Sequence, residues 1–379
     1  MDAPLKLIQQ RIRAAASERR PLRIRGGGSK DFYGQSLQGE LLDVSAWRGI
    51  VSYEPSELVV TVRAATPLSE LQAALDEKGQ HLAFEPPCFG DATCGGMVAA
   101  GLAGPARASA GGVRDFVLGV TLINGRAELL TFGGQVIKNV AGYDVSRLMV
   151  GALGTLGVLT EISLKVLPRA PAEATLMCSG LKQKAALDLL NRWGGQPLPL
   201  NASCWVRDDG DGPTAERLFV RLRGAAAAVE AACPRMAADV LAEGGDAQRM
   251  DNAQAAADWI ACGEQTLPFF RNVAPDLGLW RLSVPQTAPD LNLPYACLIE
   301  WHGGLRWLWA PLSALTKLRE AAARVGGSAS LFRAPPAIGT EAPQRFTPLS
   351  PALQQIHERL KHEFDPAGIF NRGRMYANV

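Results

Sequence analysis

The sequence predicts an α+β protein with a glycine-rich first domain and a second domain of mixed strands and helices. Glycines crowd between Gly26 and Gly157 among short apolar runs, a pattern typical of a β-rich domain with tight turns. Beyond a linker at Pro168 and Pro171, strand patterns alternate with helical patterns and show no parallel-sheet signature. That alternation favours helices on one face of an antiparallel sheet.

The first domain begins with a charged amphipathic helix within residues 1–20. Strands broken by glycine-rich turns are predicted at residues 22–28, 39–47 and 57–66. A helix follows over residues 67–79, because Pro67 stands at its start and Gly79 just past its end.

In the second domain, strand patterns occupy residues 174–181, 216–224, 279–286, 295–303 and 305–311. Helical patterns occupy residues 183–194, 227–245 and 313–327. The chain then forms a last helix, which Asp365 and Pro366 stop because a residue before proline avoids the helical conformation. The sequence shows neither an internal repeat nor a low-complexity tract.

The composition is that of an ordinary globular protein, since 47% of the 379 residues are hydrophobic and 20% are charged. A net charge of +2 gives no reason to expect nucleic acid or a membrane surface as a partner. No apolar run approaches the roughly 20 residues that span a bilayer, and the N-terminus has no apolar signal core. We therefore expect a cytoplasmic location.

Cysteine and histidine are not spaced like the ligands of a metal site. The seven cysteines include no CxxC pair, which argues against a zinc knuckle or an iron–sulfur cluster and favours reduced, mostly buried thiols. Of only four histidines, His357 and His362 stand five apart on a predicted helix and do not share a face. No bound metal is expected.

The first of three glycine-rich segments, residues 25–30, is a candidate phosphate loop. Gly26, Gly27 and Gly28 allow main-chain N–H groups to converge on an anion, and the Ser29 hydroxyl adds a donor. The segment has neither of the common phosphate-loop spacings. A glycine turn without a ligand explains it equally well.

The second segment, residues 86–104, leads from two prolines through a glycine loop into small residues that begin a helix. The positive end of that helix suits a diphosphate, and a tightly packed alanine–glycine helix is the alternative. The third segment, residues 138–158, brings more glycines and Thr155 before an alternating strand, where main-chain groups can meet a flat ring. Asp144 and Arg147 are expected to pair with each other on a solvated face.

Together the three segments resemble the FAD-binding domain of the vanillyl-alcohol-oxidase family, also called the PCMH type. Residues 356–374 resemble that family's C-terminal segment, and residues 111–120 and 138–168 are most similar to its members in bacterial glycolate oxidase. The resemblance implies a PCMH-type FAD-binding domain of two α+β subdomains at residues 1–170. It also implies a ferredoxin-like antiparallel-sheet cap at residues 171–335 and a segment that returns to the flavin at residues 336–379.

The resemblance also implies which residues bind the cofactor. The first loop is Gly26, Gly27, Gly28, Ser29 and Lys30, and the second contains Pro87, Thr93, Gly95 and Gly96. The flavin and adenine side is lined by Lys138, Gly142, Gly154, Thr155, Gly157 and Ile162, and Asn371 and Arg374 approach the ring from the tail. Some relatives carry a histidine near the first loop that bonds covalently to the flavin. Ser29 stands there instead and cannot form that bond, so we expect non-covalent FAD.

Residues for oxidising a 2-hydroxy acid are less evident. Related dehydrogenases carry a histidine-rich, metal-binding motif in the cap, and this sequence has none. His302 is a weak candidate for the catalytic base, and an ordinary strand or turn histidine is the stronger alternative. Arg281 and Arg333 are candidates for holding a carboxylate, although arginines on a sheet are usually solvated or paired.

The resemblance therefore implies an FAD-binding accessory subunit that acts on glycolate with a second flavoprotein subunit and an iron–sulfur subunit. Any membrane association would be peripheral and would occur through that complex. Two rival hypotheses stay open. One is a self-sufficient flavin oxidoreductase for a 2-hydroxy acid or sugar, using His302 or Tyr295, and the other is a structural subunit with a degenerate flavin site.

Overall fold

The computed structural model describes residues 2–134, 143–208, 215–271, 274–335, 343–377 and 379. The chain divides into two compact units. Unit 1 comprises Met1–Leu102, Gly112–Arg169 and Gln344–Val379. Unit 2 comprises Ala103–Gly111 and Ala170–Pro343, so a short segment from within the sequence of unit 1 belongs to unit 2.

The helices are, in chain order, α1 (Ala3–Glu18), α2 (Leu68–Asp76), α3 (Cys94–Ala100), α4 (Arg107–Ala110), α5 (Val113–Phe116), α6 (Val145–Leu148), α7 (Gln183–Gly194), α8 (Ala226–Ala242), α9 (Asn252–Gly263), α10 (Leu315–Arg324) and α11 (Pro351–Phe364). The strands are β1 (Leu22–Arg25), β2 (Glu40–Asp43), β3 (Ile50–Glu54), β4 (Val59–Arg63), β5 (Gln80–His81), β6 (Val117–Ile123), β7 (Leu129–Gly133), β8 (Val158–Lys165), β9 (Leu167–Pro168), β10 (Ala172–Ser179), β11 (Leu200–Asp208), β12 (Ala215–Gly224), β13 (Asp246–Arg249), β14 (Leu277–Ser283), β15 (Cys297–Glu300), β16 (Leu305–Pro311) and β17 (Ser328–Arg333). No helix in these ranges is both long and apolar enough to cross a bilayer.

Unit 1 contains a five-stranded sheet and two short strand pairs, β1–β2 and β5–β9. Strands β3-β4-β8-β6-β7 form an antiparallel sheet in that order, and β1 and β2 form a separate parallel pair. Helix α1 packs on this pair through one apolar face, and Ile369 and Phe370 from the end of the chain complete the same core. The Leu22 N–H donates to Ile369 O over 2.6 Å, which attaches the C-terminal segment to β1.

Unit 2 contains an eight-stranded antiparallel sheet in the order β13-β10-β12-β11-β15-β16-β14-β17. Strands β10 to β13, with α7 and α8 as crossovers, have the βαββαβ order of a ferredoxin-like fold. Strands β14 to β17 repeat that order, with α10 as the second crossover and a loop at residues 284–296 as the first. The halves meet where β11 pairs with β15. Because only the topology repeats, the sequence shows no internal repeat.

Helices cover both faces of this sheet, which corrects the expectation of one covered face. Helices α7 and α8 pack against one half and α10 against the other. Helix α9 lies on the opposite face, where Trp259 Nε1 donates to Thr175 Oγ1 over 3.0 Å. The sequence patterns predicted α7, α8 and α10 but not α9, whose first turn is capped by the Asp251 side chain.

Candidate functional site

A cleft in unit 1 brings together most of the predicted cofactor-binding residues. Its volume is about 130 Å³ without the part that is open to solvent. The predicted residues that line it are Gly26, Gly27, Gly28, Ser29, Lys30, Thr93, Gly95, Gly96, Gly154, Gly157, Asn371 and Arg374. Chain segments far apart in sequence therefore form one concave surface.

The first glycine loop supplies hydrogen-bond donors that the protein does not use. Within the part of the chain that the structure describes, no group accepts a hydrogen bond from the main-chain N–H of Gly26, Gly27, Gly28 or Ser29. Successive unpaired N–H groups in a turn form an anion-binding nest. The loop is exposed to half-buried, so these N–H groups are open to an anion, and a bound phosphate group would take the place of water as their acceptor.

The loop requires glycine for steric reasons as well. A Cβ on Gly27 would lie 1.5 Å from the carbonyl oxygen of Asp91, so the first loop passes directly against the second segment. Gly28 has φ +76°, and a Cβ there would lie 2.4 Å from the guanidinium of Arg25. That guanidinium is in turn held by Asp31, with Nε and Oδ2 3.0 Å apart.

The second segment lines the cleft, but the N–H groups in the first turn of its helix α3 all have acceptors within the protein. Thr93 caps α3, since its Oγ1 accepts from the Gly96 N–H over 3.2 Å. The N–H groups of Cys94 and Gly95 donate to main-chain oxygens before α2, with the Gly95 N–H 2.6 Å from Ala64 O. The expected use of this helix start as a diphosphate site is therefore not supported by its hydrogen bonding.

Asn371 and Arg374 hold the cleft together through main-chain contacts. Asn371 accepts from the Ile24 N–H over 2.8 Å and donates from Nδ2 to Leu153 O over 2.6 Å, which ties β1 to the turn at Gly154. Arg374 is 5% exposed and donates to the carbonyl oxygens of Lys30, Asp31 and Gln35. Burial lowers the pKa of Arg374 to about 10. Both side chains thus position the first loop.

A buried ion pair that sequence analysis missed supports this arrangement. Lys361 Nζ lies 2.8 Å from the Asp365 carboxylate, and it also donates to Thr155 O and Phe370 O, each over 2.7 Å. Asp365 accepts from the N–H groups of Ile369 and Phe370. The pair therefore fixes the turn that precedes Asn371. Its i, i+4 spacing at a helix end, just before Pro366, was a usable signal in the sequence.

The other predicted residues lie elsewhere. Thr155 is buried and donates to Ala152 O, and Ile162 is buried in the centre of β8 between β4 and β6, so neither side chain lines the cleft. Pro87 is also buried outside the lining and precedes Cys88, whose carbonyl accepts from Lys30 Nζ over 3.1 Å. Lys138 and Gly142 lie outside the described residues.

Asp144 and Arg147, in the third segment, form an exposed ion pair of 3.5 Å, as the sequence suggested.

His302, in unit 2, is held on both sides by serines. Its Nδ1 lies 2.9 Å from Ser203 Oγ and its Nε2 lies 3.0 Å from Ser109 Oγ. The residue is 7% exposed, and burial lowers its pKa to about 4. With both ring nitrogens engaged, this geometry favours a structural histidine and gives no support to a catalytic base.

We expect His302 to make folding stability depend on pH. The pKa of His302 is near 6.5 in the unfolded chain and about 4 in the folded chain. Between these pH values the unfolded state therefore binds more protons than the folded state. Stability should therefore rise from pH 4 to pH 6.5, by up to about 3 kcal/mol from this group alone. Urea unfolding at both pH values should show a smaller rise for His302→Gln than for the parent. An equal rise in the two proteins would contradict the assignment.

The two candidate carboxylate-binding arginines also have protein contacts. The guanidinium of Arg281 lies 5.3 Å from the ring centre of Trp301. Arg333 donates from Nη2 to Gln265 Oε1 over 3.0 Å, and burial lowers its pKa. Within the described ranges, no group of three His, Cys, Asp or Glu side chains is arranged to hold a metal ion. These contacts of Arg281 and Arg333 give no support to either as a carboxylate-binding residue.

Comparisons with known proteins agree on the cofactor and the fold. A family model described as an FAD binding domain matches residues 6–133. The chain is 43% identical to the glycolate oxidase subunit GlcE of Escherichia coli (strain K12), over all of this chain and 99% of that one. It is 30% identical to the glycolate oxidase subunit GlcD of Bacillus subtilis (strain 168), over 44% of this chain and 36% of that one.

A solved structure of alkyldihydroxyacetonephosphate synthase matches 97% of this chain and 75% of its own, with a TM-score of 0.68 at 12% identity. At that identity the match shows the fold alone, and it confirms the predicted α+β class. The FAD-binding part of the prediction is confirmed by the family model.

Proposed function

Since the chain belongs to the GlcE family of glycolate oxidase subunits, we propose that it is the FAD-binding subunit of a glycolate oxidase complex whose cofactor lies in the unit 1 cleft. The observation that carries the placement is the set of unpaired N–H groups from Gly26 to Ser29. They suit the diphosphate of FAD in number and in convergence. When bound there, FAD would supply a redox centre that holds or passes electrons within the complex.

The chain's own residues bind and orient the cofactor in this proposal. The first loop donates hydrogen bonds to the diphosphate, and Lys30, beside it, adds positive charge. Gly154 and Gly157 line the same cleft, and glycine at 154 leaves room for Asn371, because a Cβ there would lie 2.6 Å from Asn371 Nδ2. Asn371 and Arg374 hold the first loop and the turn at Gly154 in place through the main-chain contacts described above.

We expect the FAD to be bound without a covalent link. Among the described residues that line the cleft, none is a histidine, cysteine or tyrosine, and Ser29 stands at the position where some relatives attach their flavin. Acid precipitation of the purified protein should leave the yellow colour in the supernatant. Flavin that stays with the denatured pellet would contradict this expectation.

We further propose that the partners are a GlcD-like FAD subunit and a GlcF-like iron–sulfur subunit, in the cytoplasm or peripheral to the inner membrane. The similarity to GlcE and GlcD supports a multi-subunit enzyme. The seven cysteines include no CxxC pair, and the described residues contain no cluster of three possible metal ligands, which supports placing the iron–sulfur centre on another subunit.

The test is glycolate-dependent dye reduction by each subunit alone and by the co-purified complex. We expect activity from the complex, and none from this chain alone. Turnover of glycolate by the isolated chain would instead support a self-sufficient oxidoreductase.

A further inference from the structure

A second cavity, in unit 2, carries features of a binding site that the proposed function does not use. Its volume is about 500 Å³, and it is lined by the start of α7, by β11 and β12, and by the loop before β15. Its basic side chains are Lys182, Lys184 and Arg207, and its acidic ones are Glu216 and Asp290. The lining is therefore polar, with a small excess of positive charge.

The first feature is a buried indole N–H without a partner. Trp205 lines the cavity, is 3% exposed, and packs its ring into the core beneath α7. No described residue accepts a hydrogen bond from its Nε1. Buried donors are rarely left unpaired, because the lost hydrogen bond to water is not replaced. A ligand with an acceptor oxygen would replace it.

The second feature is the start of α7, a twelve-residue helix whose first turn lines the same cavity. Lys182 occupies the N-cap position and makes no side-chain cap, and the first turn contains no acidic residue. The N–H groups of Gln183, Lys184 and Ala185 have no acceptor in the described part of the chain. A helix start attracts anions. Lys182 adds positive charge beside it, whereas Lys184 Nζ lies 2.6 Å from the Asp188 carboxylate and is partly neutralised by it.

The third feature is an unused acceptor beside these donors. Glu216 Oε2 is buried and receives no hydrogen bond from any described residue, and Lys182 Nζ lies 3.8 Å away. In the β11–β12 register Glu216 stands opposite Arg207, two residues along the strand from Trp205. The cavity thus offers donors suited to an anion and, on the same sheet face, an acceptor suited to a hydroxyl.

From these three features we propose that the cavity binds a small carboxylate that also carries a hydrogen-bond donor, as a 2-hydroxy acid does. The carboxylate accepts from the Trp205 indole and the start of α7, and the hydroxyl donates to Glu216. Lys182 and Lys184, both exposed, balance the charge and can move aside to admit the ligand. The proposed site lies in unit 2 alone, so the result of its test does not depend on whether FAD occupies the unit 1 cleft.

The probe is 2-hydroxyisobutyrate, which has a carboxylate and a hydroxyl but no hydrogen on the α-carbon for a flavin to accept. Isobutyrate lacks only the hydroxyl, and 2-hydroxyisobutyramide lacks only the charge. In ¹⁵N-labelled full-length holoprotein, the indole signal that disappears in Trp205→Phe belongs to Trp205. We expect that signal to shift saturably as 2-hydroxyisobutyrate is added. The dissociation constant for isobutyrate should be about fivefold higher, and the amide should cause no shift.

Variants test the individual contacts. The double variant Lys182→Gln/Lys184→Gln should weaken binding of the probe about tenfold or more. Lys317→Gln, in the exposed first turn of α10 outside the cavity, should leave it unchanged. Glu216→Gln should bind isobutyrate more tightly than the parent does, because a like charge is removed. A Trp205 signal that ignores 2-hydroxyisobutyrate, or that shifts equally with all three molecules, would overturn the proposal.

Discussion

Replacing Gly27 with alanine is expected to remove FAD from the protein, with a dissociation constant at least about a hundredfold higher. The added methyl group would overlap the carbonyl oxygen of Asp91, 1.5 Å away, and that oxygen belongs to main chain that cannot rotate aside. The loop must therefore move, and its N–H groups no longer converge on one anion. The ratio of flavin absorbance to protein absorbance after purification measures the loss, and titration of the apoprotein with FAD gives the constant.

The matched control is Gly194→Ala, the same change at the end of α7, where an added methyl group would have nothing within 4 Å. It should retain FAD and thermal stability. The unfolding temperature of the Gly27→Ala apoprotein should be compared with that of the parent apoprotein, so that loss of the cofactor is distinguished from loss of the fold. A folded Gly27→Ala protein that keeps its FAD would contradict the assignment of the loop.

Replacing Lys361 with methionine is expected to lower the free energy of unfolding by about 3–5 kcal/mol, because it leaves the buried Asp365 carboxylate without its cation. The Asp365 side chain is fully buried, and that of Lys361 is 8% exposed. Burial lowers the pKa of Lys361, and the Asp365 carboxylate opposes that shift. Denaturant unfolding measures the loss. Affinity for FAD should fall as well, since the pair fixes the turn that places Asn371.

Two further variants serve as controls for the expected effect of Lys361→Met. Lys361→Met/Asp365→Asn should recover part of the stability, since no unpaired charge is then buried. Arg169→Gln breaks an ion pair with Asp76 in which both side chains are more than half exposed, so it should cost less than about 1 kcal/mol. Equal losses from Lys361→Met and Arg169→Gln would show that the buried pair does not hold the C-terminal turn.

Sequence patterns predicted the architecture well where a physical signal is local. The amphipathic helices α7 and α10 and the glycine loop carry their own periodicity or backbone requirement, and the structure contains each of them. Strand β13 was missed because its residues, Asp246 to Arg249, are polar and mostly exposed. Its position depends on main-chain pairing with β10, which no local pattern reveals.

The sequence predicted which residues line the cleft better than it predicted what each of them does there. Thr93 and Gly96 belong to the lining, yet they hydrogen-bond to each other, and only the folded chain shows that the unpaired donors lie in the first loop. Asn371 was expected at the flavin and is found bonded to the main chain of Ile24 and Leu153. Such contacts span more than 200 residues in sequence, so spacing alone could not assign them.

The visible spectrum and FAD content of the purified full chain, measured with and without glycolate, test the proposed function most directly. We expect a yellow protein with about one acid-releasable FAD per chain, and a spectrum that glycolate leaves unchanged until the partner subunits are added. A folded chain that carries no flavin, or a flavin that glycolate bleaches in the isolated chain, would contradict it.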